Sequence, residues 1–277
     1  MTDAPIISYP FQAGRVLTRV LEAGTDGPVL LLVHGAGSRA DRFRAVMPQL
    51  AAAGYHVFAV DNPGHGFAAK TIGYPYGTPA FAQFLADFVR DRGLTDVTPV
   101  GTSLGGHVVA TMVARKLIPV RRVILNAAVG LVPRTAQIAR DTATALRITP
   151  EGVRAKLEFV VHDQALVTDA WAREEYLINT SPGAREALAT IDQYVADHLN
   201  DDLVGEAFAA QHKPTLLIWG AEDCWVPPSV GEAVHRLLPD APLCLIEGAG
   251  HAPFLEKPQA FADLTLDFLA KTEGGAS

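Results

Sequence analysis

The sequence predicts an α/β fold: a mostly parallel central sheet with helices on both faces and a block of helices inserted between two of its strands. Three observations carry that prediction. Short apolar runs of strand length alternate with longer segments of helical period. A glycine-flanked serine, Ser103 in "GTSLGG", stands where one apolar run passes into a helix-like segment. About 80 residues, roughly 131–211, then read as helical throughout before the strand rhythm resumes at "PTLLIWG".

Taken in order, "RVLTRVLEAG" (15–24) alternates and is expected to pair at a sheet edge. The runs "PVLLLVHG" (28–35), "YHVFAVDN" (55–62), "DVTPVGTS" (96–103), "RRVILNAA" (121–128), "PTLLIWG" (214–220) and "APLCLIEG" (241–248) read as strands buried on both faces. Between them, "DRFRAVMPQLAAAG", "PAFAQFLADFVRDRG", "GGHVVATMVARKL", "SVGEAVHRLL" and "QAFADLTLDFLAK" have helix-like apolar spacing. In the long break the same spacing marks "PEGVRAKLEFVV", "TDAWAREEYLI" and "GAREALATIDQYVADHL". Both joins of this insertion fall beside strand ends, where α/β sheets bind ligands, so it is expected to cover them as a cap (lid). The competing reading is an independent interaction domain. On the cap reading, residues 1–130 and 212–277 form the core domain and 131–211 the helical cap.

Composition narrows the function. With 277 residues, 49% of them hydrophobic and 19% charged, the chain suits a compact, well-cored protein. A formal charge of −7 and no Lys/Arg-rich run argue against nucleic acid or an anionic membrane surface as partner. Apolar runs such as "VLLLV" are far too short to span a bilayer, and "MTDAPIISYPFQ" has no basic leader followed by an apolar stretch. Cys224 and Cys244 are too few for a disulfide framework, and no Cys/His spacing suggests zinc or another metal. A cytoplasmic location is the expectation. A homo-oligomer stays open.

The chemistry starts from Gly101-Thr102-Ser103-Leu104-Gly105, a G-x-S-x-G on a strand-to-helix turn. Such a turn is a nucleophile elbow: it holds the serine in a strained backbone conformation above the sheet, and glycines allow the close packing. It leaves the N–H of Leu104 at a helix start, pointing into the same space. A serine hydroxyl needs a base, and the base needs an orienting group. His251 in "EGAGHAPFLEKP" and Asp223 in "WGAEDCWVPP" each follow a strand of the same parallel sheet, whose strands end at one edge. Ser103, Asp223 and His251 are therefore the candidate triad, with Glu222 as the weaker alternative acid. "HGAG" (34–37), also after a strand, offers the N–H of Ala36 as a second oxyanion donor beside Leu104. His34 and His65 are read as structural. Cys224, beside Asp223, lacks an elbow and is a poor thiol nucleophile.

"HGAG", "DNPGHG", "GTSLGG", "WGAEDCWVP" and "GHAPFLEKP" together resemble the α/β-hydrolase fold superfamily over essentially the whole chain. The resemblance implies the Ser103–Asp223–His251 triad, hydrolysis through an acyl-enzyme or directly, and no cofactor. Serine at the nucleophile position sets the chain apart from haloalkane dehalogenases and epoxide hydrolases. The segment "ITPEGVRAKLEFVVHDQALVTDAWAREEYLINTSPGA" resembles the cap of meta-cleavage-product hydrolases, which split a C–C bond in dienoates from aromatic ring opening. Those enzymes carry a cap arginine that grips the dienoate carboxylate, and the matching position here is Glu175. They also favour Gly-Pro-Gly in the oxyanion loop, Asn before the nucleophile and Trp after the histidine. This chain has "GAGSRA", Thr102 and Ala252. A dienoate facing Glu175 would be repelled. Hydrolysis of carboxylic esters of small hydrophobic or aromatic compounds is thus preferred to C–C hydrolysis.

Gly35, Gly37, Val226 and Ala252, next to the expected catalytic groups, are expected to line the substrate pocket. Phe159, Val160, Trp171 and Tyr176 either form its ceiling or pack the cap's own core. Two other classes compete. Gly35-Ala36-Gly37 after a strand, with Ala40 beyond it and Asp61 ending the next strand, imitates a dinucleotide fingerprint; no Tyr-x-x-x-Lys accompanies it. A non-catalytic ligand-binding protein would keep the same pocket and triad.

Overall fold

The computed structural model describes residues 4–133 and 148–273. Among them, eight strands form a single sheet: β1 (Ile6–Ala13), β2 (Val16–Ala23), β3 (Val29–Val33), β4 (His56–Val60), β5 (Val97–Thr102), β6 (Val123–Asn126), β7 (Thr215–Gly220) and β8 (Leu243–Ile246). Their order is β1-β2-β4-β3-β5-β6-β7-β8. β1 and β2 form an antiparallel hairpin, β2 is antiparallel to β4, and every pairing from β4 through β8 is parallel.

The buried strands earn their places by being apolar on both faces. In β3, Val29, Leu31 and Val33 join the core on one side of the sheet, and Leu30 and Leu32 join the core on the other. Pro99 lies inside β5, a central strand, where a residue without an N–H is normally excluded. It is tolerated because pairing with β6 begins only at the next residue, Val100.

β2 pairs at the sheet's edge, as its alternation predicts, but is not the outermost strand. β1 lies outside it, paired from Ile6 to Ala13. β1 escapes an apolar-run reading because most of its residues are partly or fully exposed and Pro10 interrupts it.

Helices cover both faces. The expected helix over 41–54 divides into a 3-10 turn, Ala40–Phe43, and α1 (Met47–Ala52), with Pro48 at the start of the second piece. α2 (Thr78–Asp91) and α3 (Leu104–Ala114) follow in the core, with α8 (Pro228–Leu237), α9 (Pro253–Glu256) and α10 (Pro258–Glu273) after the insertion. Between β6 and β7 lie α4 (Pro150–Val160), a 3-10 turn at Gln164–Leu166, α5 (Asp169–Asn179), α6 (Ala184–Asp197) and α7 (Gly205–Ala209). Part of the expected 131–211 cap, residues 134–147, lies outside the described residues. Thr149 and Thr168 cap α4 and α5, accepting the amides of Gly152 and Trp171 at 3.0 and 3.1 Å. Val153, Leu157, Val161, Val167 and Ala172 form a small core of their own among these helices.

Two features aim the sheet at a site. β4 and β5 flank β3 on opposite sides, so the loops leaving β3 and β5 face one another across a topological switch point. The loops after β7 and β8 open at the same edge. Among the described residues, no helix is long and apolar enough to cross a membrane.

Candidate active site

Ser103 sits between β5 and α3 with φ 54° and ψ −122°, a backbone conformation that side chains rarely adopt. Its neighbours make the turn feasible. A Cβ on Gly101 would come within 2.5 Å of the Gly105 carbonyl oxygen, and one on Gly105 within 2.3 Å of the Val33 carbonyl oxygen. The strand, turn and helix therefore pack backbone to backbone. The serine amide donates to the Asn126 carbonyl (3.0 Å), tying the elbow to β6. Leu104 is the first residue of α3, so its N–H lies outside the intrahelical ladder.

His251 stands beyond β8 and Asp223 beyond β7. His251 Nδ1 lies 2.7 Å from Asp223 Oδ2. Asp223 Oδ1 accepts the amides of Trp225 and Val226, each at 2.8 Å, so the carboxylate is fixed from behind. Glu222 turns away from the histidine: its Oε2 accepts the amide of Ala249 at 3.1 Å. Cys224 is exposed and contacts the Glu222 carbonyl.

Ser103 and His251 line one cavity of about 60 Å³ together with Gly35, Ala36, Ser38, Thr102, Ala252 and Phe254. Arg42, Lys156, Leu157, Val160 and Trp225 complete its wall. Gly35 lies against the nucleophile: a Cβ there would meet the Ser103 Cβ at 2.8 Å.

Four expected pocket residues fall elsewhere. Gly37 does not reach the cavity; its carbonyl accepts a hydrogen bond from Lys156. Val226 is buried behind Asp223, where its carbonyl takes the indole N–H of Trp219 at 2.8 Å. Phe159 is about half exposed and packs on Trp225 outside the cavity, ring centroids 5.4 Å apart. Trp171 carries the Arg42 guanidinium over its ring at 4.3 Å. Phe159 lies outside the cavity and Trp171 packs on the cap core and on Arg42, so Leu157 and Val160, on the inner side of α4, line the cavity instead. Tyr176 packs beside the cap core.

The cationic wall is the largest departure from expectation. Glu175 is 1% exposed and does not face the cavity as a lone charge. Its Oε1 takes Lys156 Nζ at 2.9 Å, and its Oε2 takes Arg39 and Arg42. Burial alone would raise the pKa of Glu175, but Arg42, Lys156 and Arg39 outweigh it and hold the carboxyl well below the usual range. Arg39 also pairs with Asp41 and Glu174. Arg42 and Lys156 reach the cavity wall, and among the described residues no carboxylate does. A signal for this existed in the sequence: Ala172, Glu175 and Asn179 are the buried positions of α5, a spacing of three and four that puts the glutamate on the inward stripe.

The remaining polar residues brace loops. His34 Nδ1 donates to the Gly35 carbonyl (2.8 Å) and Nε2 accepts the Asn62 amide (2.9 Å), and burial pushes its pKa down to about 4. Its ring packs edge-on to His65. Asp61 is fully engaged, accepting from Arg19, from the Ala40 amide at 2.8 Å and from the Phe67 amide at 2.9 Å. That removes the acidic group a dinucleotide ribose would need.

The fold and this arrangement of serine, histidine and aspartate at the strand ends define a class. The chain belongs to the α/β hydrolase fold family, whose model matches residues 28–258. It is 28% identical over 264 residues to a 2-hydroxy-6-oxo-2,4-heptadienoate hydrolase from Pseudomonas putida, covering 93% of this chain and 94% of that one. It is 31% identical over 261 residues to a pimeloyl-[acyl-carrier protein] methyl ester esterase from Neisseria meningitidis serogroup C, covering 86% and 92%. Among solved structures, a variant of a meta-cleavage product hydrolase superimposes with a TM-score of 0.83 at 26% identity, over 96% of this chain and 98% of that one.

Proposed function

We propose that the protein is a serine hydrolase that cleaves carboxylic esters with a small acyl group. The observation that carries this reading is Ser103, strained at φ 54°, sharing a cavity with a histidine whose far nitrogen is held by Asp223. With Nδ1–H donated to Asp223, Nε2 of His251 is left as the base. It takes the proton of Ser103 Oγ as that oxygen attacks the carbonyl carbon. The oxyanion is held by the N–H groups of Leu104 and Ala36, and His251 returns the proton to the leaving alcohol. Water, activated by the same histidine, then releases the acid and frees the serine. The base contributes about 10²–10⁴ in rate and each oxyanion donor about 10²–10³. A cavity of about 60 Å³ suits a short acyl chain rather than a long one. The cytoplasm is the compartment that goes with this reading, and a small hydrophobic molecule the partner.

One observation favours a second reading, C–C hydrolysis of a meta-cleavage dienoate. Arg42 and Lys156 on the wall suit a substrate carboxylate, and the repulsion expected from Glu175 disappears once it is paired with three cations. Parallel kinetics on p-nitrophenyl acetate and butyrate and on a ring-cleavage dienoate separate the two. The ester reading expects kcat/KM higher on the esters; a dienoate ahead by orders of magnitude replaces it. Ser103→Ala should abolish either activity in a folded protein, and undiminished turnover there would remove both.

A further inference from the structure

Helix α4 touches both catalytic loops, one through a side chain and the other through its C-terminal end. Lys156 Nζ donates to the carbonyl of Gly37 in the loop after β3 and to Glu175 at 2.9 Å. Four residues on, the Val160 carbonyl accepts the backbone amide of His251 at 2.8 Å. Lys156 reaches out from the side of the helix, and Val160, its last residue, offers a carbonyl that has no partner within the helix.

Each contact is reinforced. On the oxyanion side, Arg39 and Arg42, just past Gly37, clamp Glu175 of α5, and the Lys156 and Glu175 side chains are only 5% and 1% exposed. On the histidine side, Glu256 accepts the amides of His162 (2.7 Å) and Asp163 (3.1 Å) where the chain leaves α4, and the amide of Gly250 (2.8 Å) just before His251. The two loops grow from β3 and β8, which four sheet pairings separate. The helix bridges them with hydrogen bonds, beside the packing of Phe43 on Phe254 with ring centroids 4.7 Å apart.

We infer that α4 is a strut setting the oxyanion loop against the histidine loop, and that Lys156 is a positioning residue for the reaction. Gly37 stands at φ 60°, one residue after Ala36, so fixing its carbonyl fixes the turn that aims the Ala36 N–H. In a hydrogen-bonded site of this kind, displacement of a donor by about 1 Å costs on the order of 10² in rate. Seating the helices over the sheet thereby completes the catalytic geometry as well as closing the cavity. The inference rests on the serine-hydrolase reading above.

The test is Lys156→Met, which keeps the apolar stem and leaves Glu175 paired with Arg39 and Arg42. On p-nitrophenyl acetate, kcat should fall about 10-fold or more with KM changed less than about 3-fold, and Lys156→Arg should recover most of the loss. The rate at which a fluorophosphonate labels Ser103 should fall in parallel. The kcat for mono-p-nitrophenyl succinate, which carries a free carboxylate, should fall by the same factor. An unchanged kcat with only a lower Tm would make Lys156 a mere anchor of the cap and overturn the inference. A loss confined to the succinate would overturn it too, by making Lys156 a substrate-binding group. If the methionine variant does not fold, Glu256→Gln loosens the other end of the strut, and the same drop in kcat and in labelling is expected. Wild-type protein that neither labels at Ser103 nor hydrolyses any ester fails the serine-hydrolase reading, which is a different result from a wild type that labels and a Lys156→Met variant that labels equally fast.

Discussion

Asp223 holds His251 through one oxygen and is itself held through the other: Oδ2 lies 2.7 Å from the ring Nδ1, while Oδ1 takes two backbone amides at 2.8 Å. The two oxygens cannot exchange places without giving up the amides of Trp225 and Val226. In Asp223→Asn the side-chain oxygen therefore stays with those amides and the NH₂ faces His251. Nδ1 must then accept, the proton moves to Nε2, and the base is lost. The expected result is a fall in kcat of about 10⁴ with little change in Tm. A loss below about 10-fold would assign the orienting role to another group.

A second expectation follows from the elbow. Gly105→Ala places a methyl group 2.3 Å from the Val33 carbonyl oxygen and 2.5 Å from that of His34. Backbone on both sides leaves nothing flexible to yield, so α3 must move off the sheet. Denaturant titration should show a loss of about 2–3 kcal/mol, with activity falling further because Ser103 moves with the helix. Wild-type stability in this variant would mean that the helix and β3 pack less closely than described.

What the sequence disclosed follows from how local each signal is. β3 to β8 are apolar on both faces and stand out as runs, and Ser103 announces itself because its glycines are adjacent in the chain. β1 hides because its exposure varies along a half-solvated edge. Arg42 and Lys156 hide for a different reason. Charged residues are read as surface, and these are buried only because Glu175 meets them from 133 and 19 residues away. Phe159 and Trp171 mislead in the opposite sense, since an apolar ring in a cap can pack elsewhere than over the cavity: Phe159 on Trp225, and Trp171 on the cap core and Arg42.

The buried His34 makes stability depend on pH. Its native pKa is pushed down to about 4 from 6.5 because the ring is desolvated between Gly35 and Asn62. Between those values the unfolded chain binds a proton at this position and the native one does not, so unfolding is favoured as pH falls. The contribution is complete above pH 6.5, shrinks on acidification, and levels off below about 4. Its full size is about 3 kcal/mol. Unfolding free energies measured from pH 7.5 to 4.5 should decline, and His34→Gln should take about one proton out of the slope. An unchanged slope would place the imidazole in contact with solvent.

Glu175 allows a prediction in which stability and substrate preference move in opposite directions. Its carboxylate is desolvated, and Arg42, Lys156 and Arg39 keep it ionised, so its stabilisation is present above about pH 4.5 and lost only at greater acidity. Glu175→Gln removes the countercharge and leaves three cations together in a dry site. Removing one partner of such a cluster costs about 3–5 kcal/mol, which should appear as a lower denaturant midpoint. The same change strengthens the positive potential at the cavity wall, because Arg42 and Lys156 are no longer neutralised there. KM for mono-p-nitrophenyl succinate should therefore fall several-fold relative to that for p-nitrophenyl butyrate, and added salt should erase the difference. If both esters shift alike, the cations act through the packing of the cap and do not sense the charge of the substrate.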